Sequence, residues 1–150
     1  MATLKDLPQD FSEFVELLNE NSVRYLIVGG YAVGFHGHAR YTKDLDVWIE
    51  PTEQNATRLL QALDQFGFGQ LNLKVDDFVT PEQIIQLGHE PIRIDLLTSV
   101  KGAEFSEAIK SAVDAEVDGV NYVVIGLEQL IAAKKAAGRP QDLGDVDLLS

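Results

Sequence analysis

The chain has 150 residues, 45% of them apolar, a size and composition that fit one domain over residues 1–150 with a core of its own. Twelve Lys and Arg stand against 24 Asp and Glu, and the net charge of −12 argues against extended binding to DNA or RNA, which needs a basic stripe to neutralise phosphates. The lack of cysteine excludes disulfides and thiol chemistry, and no run approaches the roughly 18 apolar residues of a membrane helix. The first residues, Met1 to Pro8, hold no apolar signal core, so the cytoplasm is the expected compartment.

Asp10 to Asn19 places Phe11, Phe14, Val15 and Leu18 at helical spacing on one face. Arg24 to Val28 is a short apolar run rich in β-formers and predicts a buried strand. Gly30 to Phe35 reads as a short helix, with Tyr31 as a core or rim aromatic. His36 to Lys43 reads as a polar loop, with His36 and His38 as solvated histidines rather than zinc ligands. Asp44 to Ile49 is the next strand. After Pro51 a helix begins, and Leu59, Leu60, Leu63 and Phe66 give it a core face until Gly67. The stretch from Leu71 to Gly88 is ambiguous: the residues from Pro81 to Ile85 suit a helical turn, and Ile84 to Leu87 suit a strand. Ile92 to Leu97 alternates and predicts a strand, and Glu104 to Val113 a helix with Phe105, Ala108, Ile109 and Ala112 in register. Asp118-Gly119 between β-rich arms, from Glu116 to Ile125, signals a hairpin. Leu127 to Ala137 is a helix stopped by Gly138 and Pro140, and Asp142 to Leu149 forms a last acidic turn or short helix. The mixture predicts an α+β domain with one mixed sheet flanked by helices.

Chemistry concentrates around Gly29-Gly30 and Asp44-Leu45-Asp46. Residues two apart on a strand share a face, so Asp44 and Asp46 project side by side while Leu45, Val47 and Ile49 face a core. Adjacent carboxylates repel unless a cation neutralises them, and Mg²⁺ suits hard oxygen ligands completed by substrate phosphates. A tight Gly-Gly turn into a helix lets backbone N–H groups approach those phosphates. Arg40 and Thr42 precede the acids. Arg40 is a candidate phosphate partner or an idle loop cation, and Thr42 a hydrogen-bond donor toward the site or a strand cap.

This pattern, from Val28-Gly29-Gly30-Tyr31-Ala32 through Arg40, Thr42 and Asp44-Leu45-Asp46-Val47, resembles the DNA polymerase β-type nucleotidyltransferase superfamily. In particular it is similar to small stand-alone bacterial members related to AbiEii-type toxins and antibiotic nucleotidyltransferases. The resemblance covers most of the chain and implies a nucleotidyltransferase-like core. It implies transfer of a nucleoside monophosphate from an NTP to an acceptor hydroxyl, with release of pyrophosphate, in a toxin–antitoxin or resistance setting. The acceptor is left open among a small molecule, a protein and tRNA. It also implies Mg²⁺, up to two ions, held by Asp44, Asp46 and a third acid on a neighbouring strand, Asp95, which bridges or acts as base. The bland alternative for Asp95 is an ion pair with Arg93 or Lys101. Gly29 and Gly30 would contact the triphosphate. Lys134, with Arg139, Asp142 and Asp145 after it, matches a C-terminal pattern in which a lysine reaches the nucleotide phosphates and acids order the region; Lys135 is one position out of phase. Larger relatives carry a further helical domain after this point, so a homodimer or partner subunit is expected to complete the acceptor side. The competing reading is an inactive nucleotidyltransferase-like subunit that binds nucleotide or a partner.

Overall fold

The computed structural model describes residues 3–89 and 92–150. After a 3-10 turn at Leu4–Asp6, α1 (Gln9–Glu20) buries Phe11, Phe14, Val15 and Leu18 completely. β1 (Tyr25–Val28) is buried along its whole length. It leads directly into α2 (Gly29–Phe35), and a loop then delivers the chain to β2 (Asp44–Ile49). α3 (Glu53–Gln65) is capped by Thr52, whose hydroxyl accepts from the Asn55 N–H. α3 also supplies Asn55, whose amide bonds the Arg24 backbone and the Glu50 carbonyl and so ties the start of β1 to the end of β2.

The ambiguous stretch resolves into a 3-10 turn at Gly69–Leu71, a one-turn helix α4 (Val75–Val79) and strand β3 (Ile84–His89). Of the two readings at 81–87, the strand is present. β4 (Ile92–Leu97) follows. The helix expected over 104–113 is shorter: α5 (Phe105–Ala108) continues as a 3-10 turn, Ile109–Ser111. Val113 instead opens β5 (Val113–Val117), where it pairs with Val124 of β6 (Val120–Val124). Sheet pairing here overrides a helical pattern. Asp118 and Gly119, at φ 52° and 83°, make the expected two-residue turn. α6 (Leu127–Ala137) ends at Gly138, and α7 (Pro140–Leu149) begins at Pro140, in a first turn that needs no N–H from it.

The strands form one six-stranded mixed sheet in the order β3-β4-β2-β1-β6-β5. β2 runs antiparallel to β1 and parallel to β4, and β6 runs parallel to β1. Alternation along the strands divides the two faces. Leu45, Val47, Ile49, Ile94 and Leu96 enter the core shared with α1 and α3. Asp44, Asp46, Arg93 and Asp95 lie on the other face, which turns apolar at Trp48, packed edge-on against Phe105 of α5 at 5.3 Å. No helix among the described residues is long and apolar enough to cross a membrane.

Candidate active site

Register brings the three acids together. Parallel pairing sets Asp46 directly opposite Asp95, and Asp44 opposite Arg93; on the other side of β2, Asp46 is opposite Val28, the residue before Gly29. Gly29 has φ 72°. Its Cα approaches the Asp46 carboxylate so closely that a Cβ would overlap Oδ2. Gly30 packs in the same way on the Thr42 hydroxyl. The two glycines therefore clamp the main chain against the site residues themselves. This is a packing reason for the Gly-Gly pair, beside the expected approach to phosphates.

The carboxylates differ in their surroundings. The Asp46 carboxyl is pushed up to about 7, chiefly by burial, then by the nearby charges of Asp95 and Asp44; Arg93 and Lys134 counter this only in part. One oxygen of Asp44, Oδ1, is buried without a hydrogen-bond partner. Asp95, only 8% exposed, is engaged at both oxygens: Arg93 Nε and Nη2 donate to Oδ1 and Oδ2 at 3.0 Å each. The same guanidinium stands 3.7 Å from Asp44 Oδ2. Among the described residues no group of three or more His, Asp or Glu side chains is arranged to hold a metal ion. Arg93 takes up both oxygens of the third acid.

The site still fits Mg²⁺ in the manner usual for that ion, through one or two carboxylates plus substrate phosphates. Asp44 offers an unpartnered oxygen. Asp46 sits in an excess of negative charge that an added cation would relieve.

Asp46 and Asp95 open onto a cleft of about 300 Å³ between the sheet and α6. Gly29 lies at its floor. Ile84, Leu97, Val100 and Ile125 give it an apolar side, and Lys101, Lys134 and Arg139 bring cations. Lys134 is turned inward while Lys135 is exposed, which separates the two candidates. Lys134 Nζ lies 2.9 Å from Asp145 Oδ2 and 3.4 Å from Asp142 Oδ1. The contact with Asp145 Oδ2 is a charge pairing, since that oxygen accepts no aligned hydrogen bond. Arg139 Nε donates to Asp142 at 2.6 Å.

Arg40 does not stand free in the loop: its Nη2 donates to Asp145 Oδ1. Asp142 and Asp145 are buried, at 1% and 3% exposure, yet both are held below the ordinary carboxylate range. The hydrogen bond from Arg139 does this for Asp142. For Asp145, burial works against ionisation, and Arg40 with Lys134 outweighs it. Of the acidic turn or short helix expected here, the helix is present as α7, and its Asp142 and Asp145 form a buried ionic joint that fastens the loop before β2 to α6 and α7. His36 is half-buried rather than solvated, with Nε2 donating to the Ile125 carbonyl at 2.7 Å.

Two cations at the cleft were not named as nucleotide contacts: Lys101, given only as a possible partner of Asp95, and Arg139, given only within the C-terminal pattern. Arg139 carried a signal in its i,i+3 spacing to Asp142. Lys101 carried none.

Residues 8–150 match the model of a family described as "Nucleotidyl transferase of unknown function" (DUF2204). No curated protein sequence matches the chain. Several solved structures share the fold. A candidate nucleotidyltransferase from Thermotoga maritima superposes with a TM-score of 0.61 at 16% identity, over 92% of this chain and 88% of that one. The lincosamide antibiotic adenylyltransferase LnuA, solved with lincomycin, gives 0.57 at 14% identity, over 95% and 96%. ANT(2″)-Ia, in complex with adenylyl-2″-tobramycin, gives 0.55 at 13%, over 93% and 84%. At such identities the likeness speaks for the fold alone. The family match spans nearly the whole chain and includes the clamped glycines, the three facing acids and the cleft above them: the protein belongs to the DUF2204 family of nucleotidyl transferases.

Proposed function

We propose that the protein transfers a nucleoside monophosphate from an Mg²⁺-bound NTP to the hydroxyl of a small acceptor and releases pyrophosphate. The observation that carries this reading is the register of Asp46 opposite Asp95, with the Gly29 backbone pressed on Asp46 at the floor of a cleft whose wall bears Lys134. Asp44 and Asp46 would hold the metal, with Asp95 as third carboxylate and base toward the acceptor hydroxyl. When bound, the metal neutralises triphosphate charge and lowers the pKa of the attacking hydroxyl. Gly29 and Gly30 bring main chain to the triphosphate, and Lys134, held by Asp142 and Asp145, supplies a positioned cation.

A cationic small acceptor suits a chain of net charge −12 better than tRNA does. The lincomycin and tobramycin complexes among the fold neighbours motivate the same choice, and with it a resistance rather than a toxin–antitoxin setting. A homodimer or a partner chain is part of this proposal, as the source of further acceptor contacts.

A second reading, a nucleotide-binding subunit without catalysis, is favoured by one observation: Arg93 occupies both oxygens of Asp95. Incubation with Mg²⁺ and each α-labelled NTP, alone, with an aminoglycoside or lincosamide, with lysate and with tRNA, separates the two. The transferase labels an acceptor and releases pyrophosphate, and Asp44→Asn abolishes both. Binding of Mg–NTP with no turnover on any acceptor gives the second reading. Labelling that survives in Asp44→Asn overturns the site assignment.

A further inference from the structure

Arg93 lies two residues before Asp95 on the same strand face and directly opposite Asp44 on β2. Its guanidinium bridges the first and third acids of the site, bidentate on Asp95 and 3.7 Å from Asp44, around Asp46. Such a fork has only donors and satisfies carboxylate lone pairs that a cation would otherwise use. Arg93 and the more distant Lys134 offset the three carboxylates only in part at Asp46, and Asp44 Oδ1 is left without a hydrogen-bond partner. The arginine reaches the acid from the solvent side: the Arg93 side chain is 32% exposed and that of Asp95 11%.

We propose that Arg93 is a displaceable counter-ion, which competes with Mg²⁺ for the Asp44 and Asp95 carboxylates and must release Asp95 for the metal–nucleotide complex to seat. This rests on the nucleotidyl-transfer reading above. In the metal-free protein the arginine holds the acids in place and stands where a metal would draw on Asp95. Once released, its planar fork is beside the expected triphosphate and suited to a bidentate phosphate contact. The device keeps the three-acid set incomplete until the nucleotide arrives, so metal alone binds weakly.

The test is calorimetric titration of wild type, Arg93→Gln and Arg93→Lys with Mg²⁺ alone and with Mg²⁺ plus ATP, alongside thermal unfolding with and without Mg²⁺. Arg93→Gln is expected to bind Mg²⁺ alone about tenfold more tightly than wild type, because the competitor is gone. Arg93→Lys, a point charge that cannot hold both Asp95 oxygens, is expected to fall between them. A purely structural arginine gives the opposite sign, with weaker metal binding together with lower stability. Unchanged or weaker Mg²⁺ affinity in Arg93→Gln overturns the inference; if that variant fails to fold, the same result in Arg93→Lys overturns it. Wild type that binds Mg–ATP while the variants match its affinity for Mg²⁺ alone sinks this inference and spares the transfer reading. If no form binds Mg²⁺ with or without ATP, the transfer reading falls and takes the inference with it.

Discussion

Gly29 and Asp46 are packed so that the glycine Cα closes the gap left by the aspartate carboxylate, and no Cβ fits between them. Gly29→Ala therefore meets two obstacles, the left-handed backbone at φ 72° and the carboxylate. It is expected to lower stability by about 1–3 kcal/mol in urea unfolding and to cut nucleotide affinity by turning Asp46. Gly30→Ala meets only the end of the Thr42 side chain. Its loss should be recovered in part by Thr42→Ala, whereas Asp46→Ala should not recover Gly29→Ala, because the backbone strain remains. Equal rescue in both double-mutant cycles would contradict this account.

The raised Asp46 carboxyl makes the stability of the metal-free protein depend on pH in a stated direction. Its folded value, about 7, lies above the unfolded value near 4. Between the two, the unfolded chain gives up its proton first, so the folded state binds more protons and stability falls as pH rises, by up to about 4 kcal/mol. Asp142 and Asp145 act oppositely. Their lowered values stabilise the fold above about pH 4, and that contribution is lost as the pH falls through their folded range. Metal-free stability should thus decline on both sides of a maximum between about pH 4 and 5. Asp46→Asn should remove the decline toward neutrality and leave the acid limb. A neutral limb that persists in Asp46→Asn would assign it to another group.

Much of this was legible in the sequence, for identifiable reasons. The α1 face, the Asp44–Ile49 strand and the Asp118-Gly119 turn rest on local spacing, and the three acids share a face because strands alternate. What failed was non-local. Val113 looks helical until Val124 is known to lie opposite it. α4 is one turn with a single fully buried residue, Phe78, too short for a periodic signal. β3 is an edge strand whose Ile84 is 62% exposed, which blurs the pattern of a strand. The partner of Arg40 was hidden by distance along the chain: Arg40 and Asp145 are 105 residues apart. Asp142 and Asp145 can be buried because Arg40, Lys134 and Arg139 converge on them.

Asp95 has the most divided surroundings of the three acids, and its conservative variant separates binding from chemistry. Asp95→Asn keeps the shape and removes the base, so label transfer should fall by about 100-fold or more, well beyond the roughly tenfold change in Mg–NTP affinity that loss of one metal-facing carboxylate brings. Single-turnover measurement beside nucleotide calorimetry checks the split. A loss confined to nucleotide affinity would make Asp95 a binding residue and not a base.

The buried ionic joint of Arg40, Lys134, Asp142 and Asp145 predicts unequal costs for its members. Asp145 faces two cations, Arg40 and Lys134, and is almost wholly buried. Asp145→Ala strands Arg40 and leaves Lys134 with Asp142 alone, and should cost about 3–5 kcal/mol, as for breaking a buried pair. Lys134→Met costs less, because Asp145 keeps Arg40, Asp142 keeps Arg139, and the methionine fills the same space. Its effect should appear instead in nucleotide affinity, weaker by about 1–3 kcal/mol for loss of one charged contact to phosphate. Arg40→Ala should resemble a milder Asp145→Ala in unfolding, since its guanidinium is paired with that acid. Urea denaturation of the three variants beside ATP calorimetry orders them. Should Lys134→Met prove the least stable yet bind ATP like wild type, the lysine belongs to the joint alone, and the cation for the triphosphate must be sought at Lys101 or Arg139, which line the same cleft.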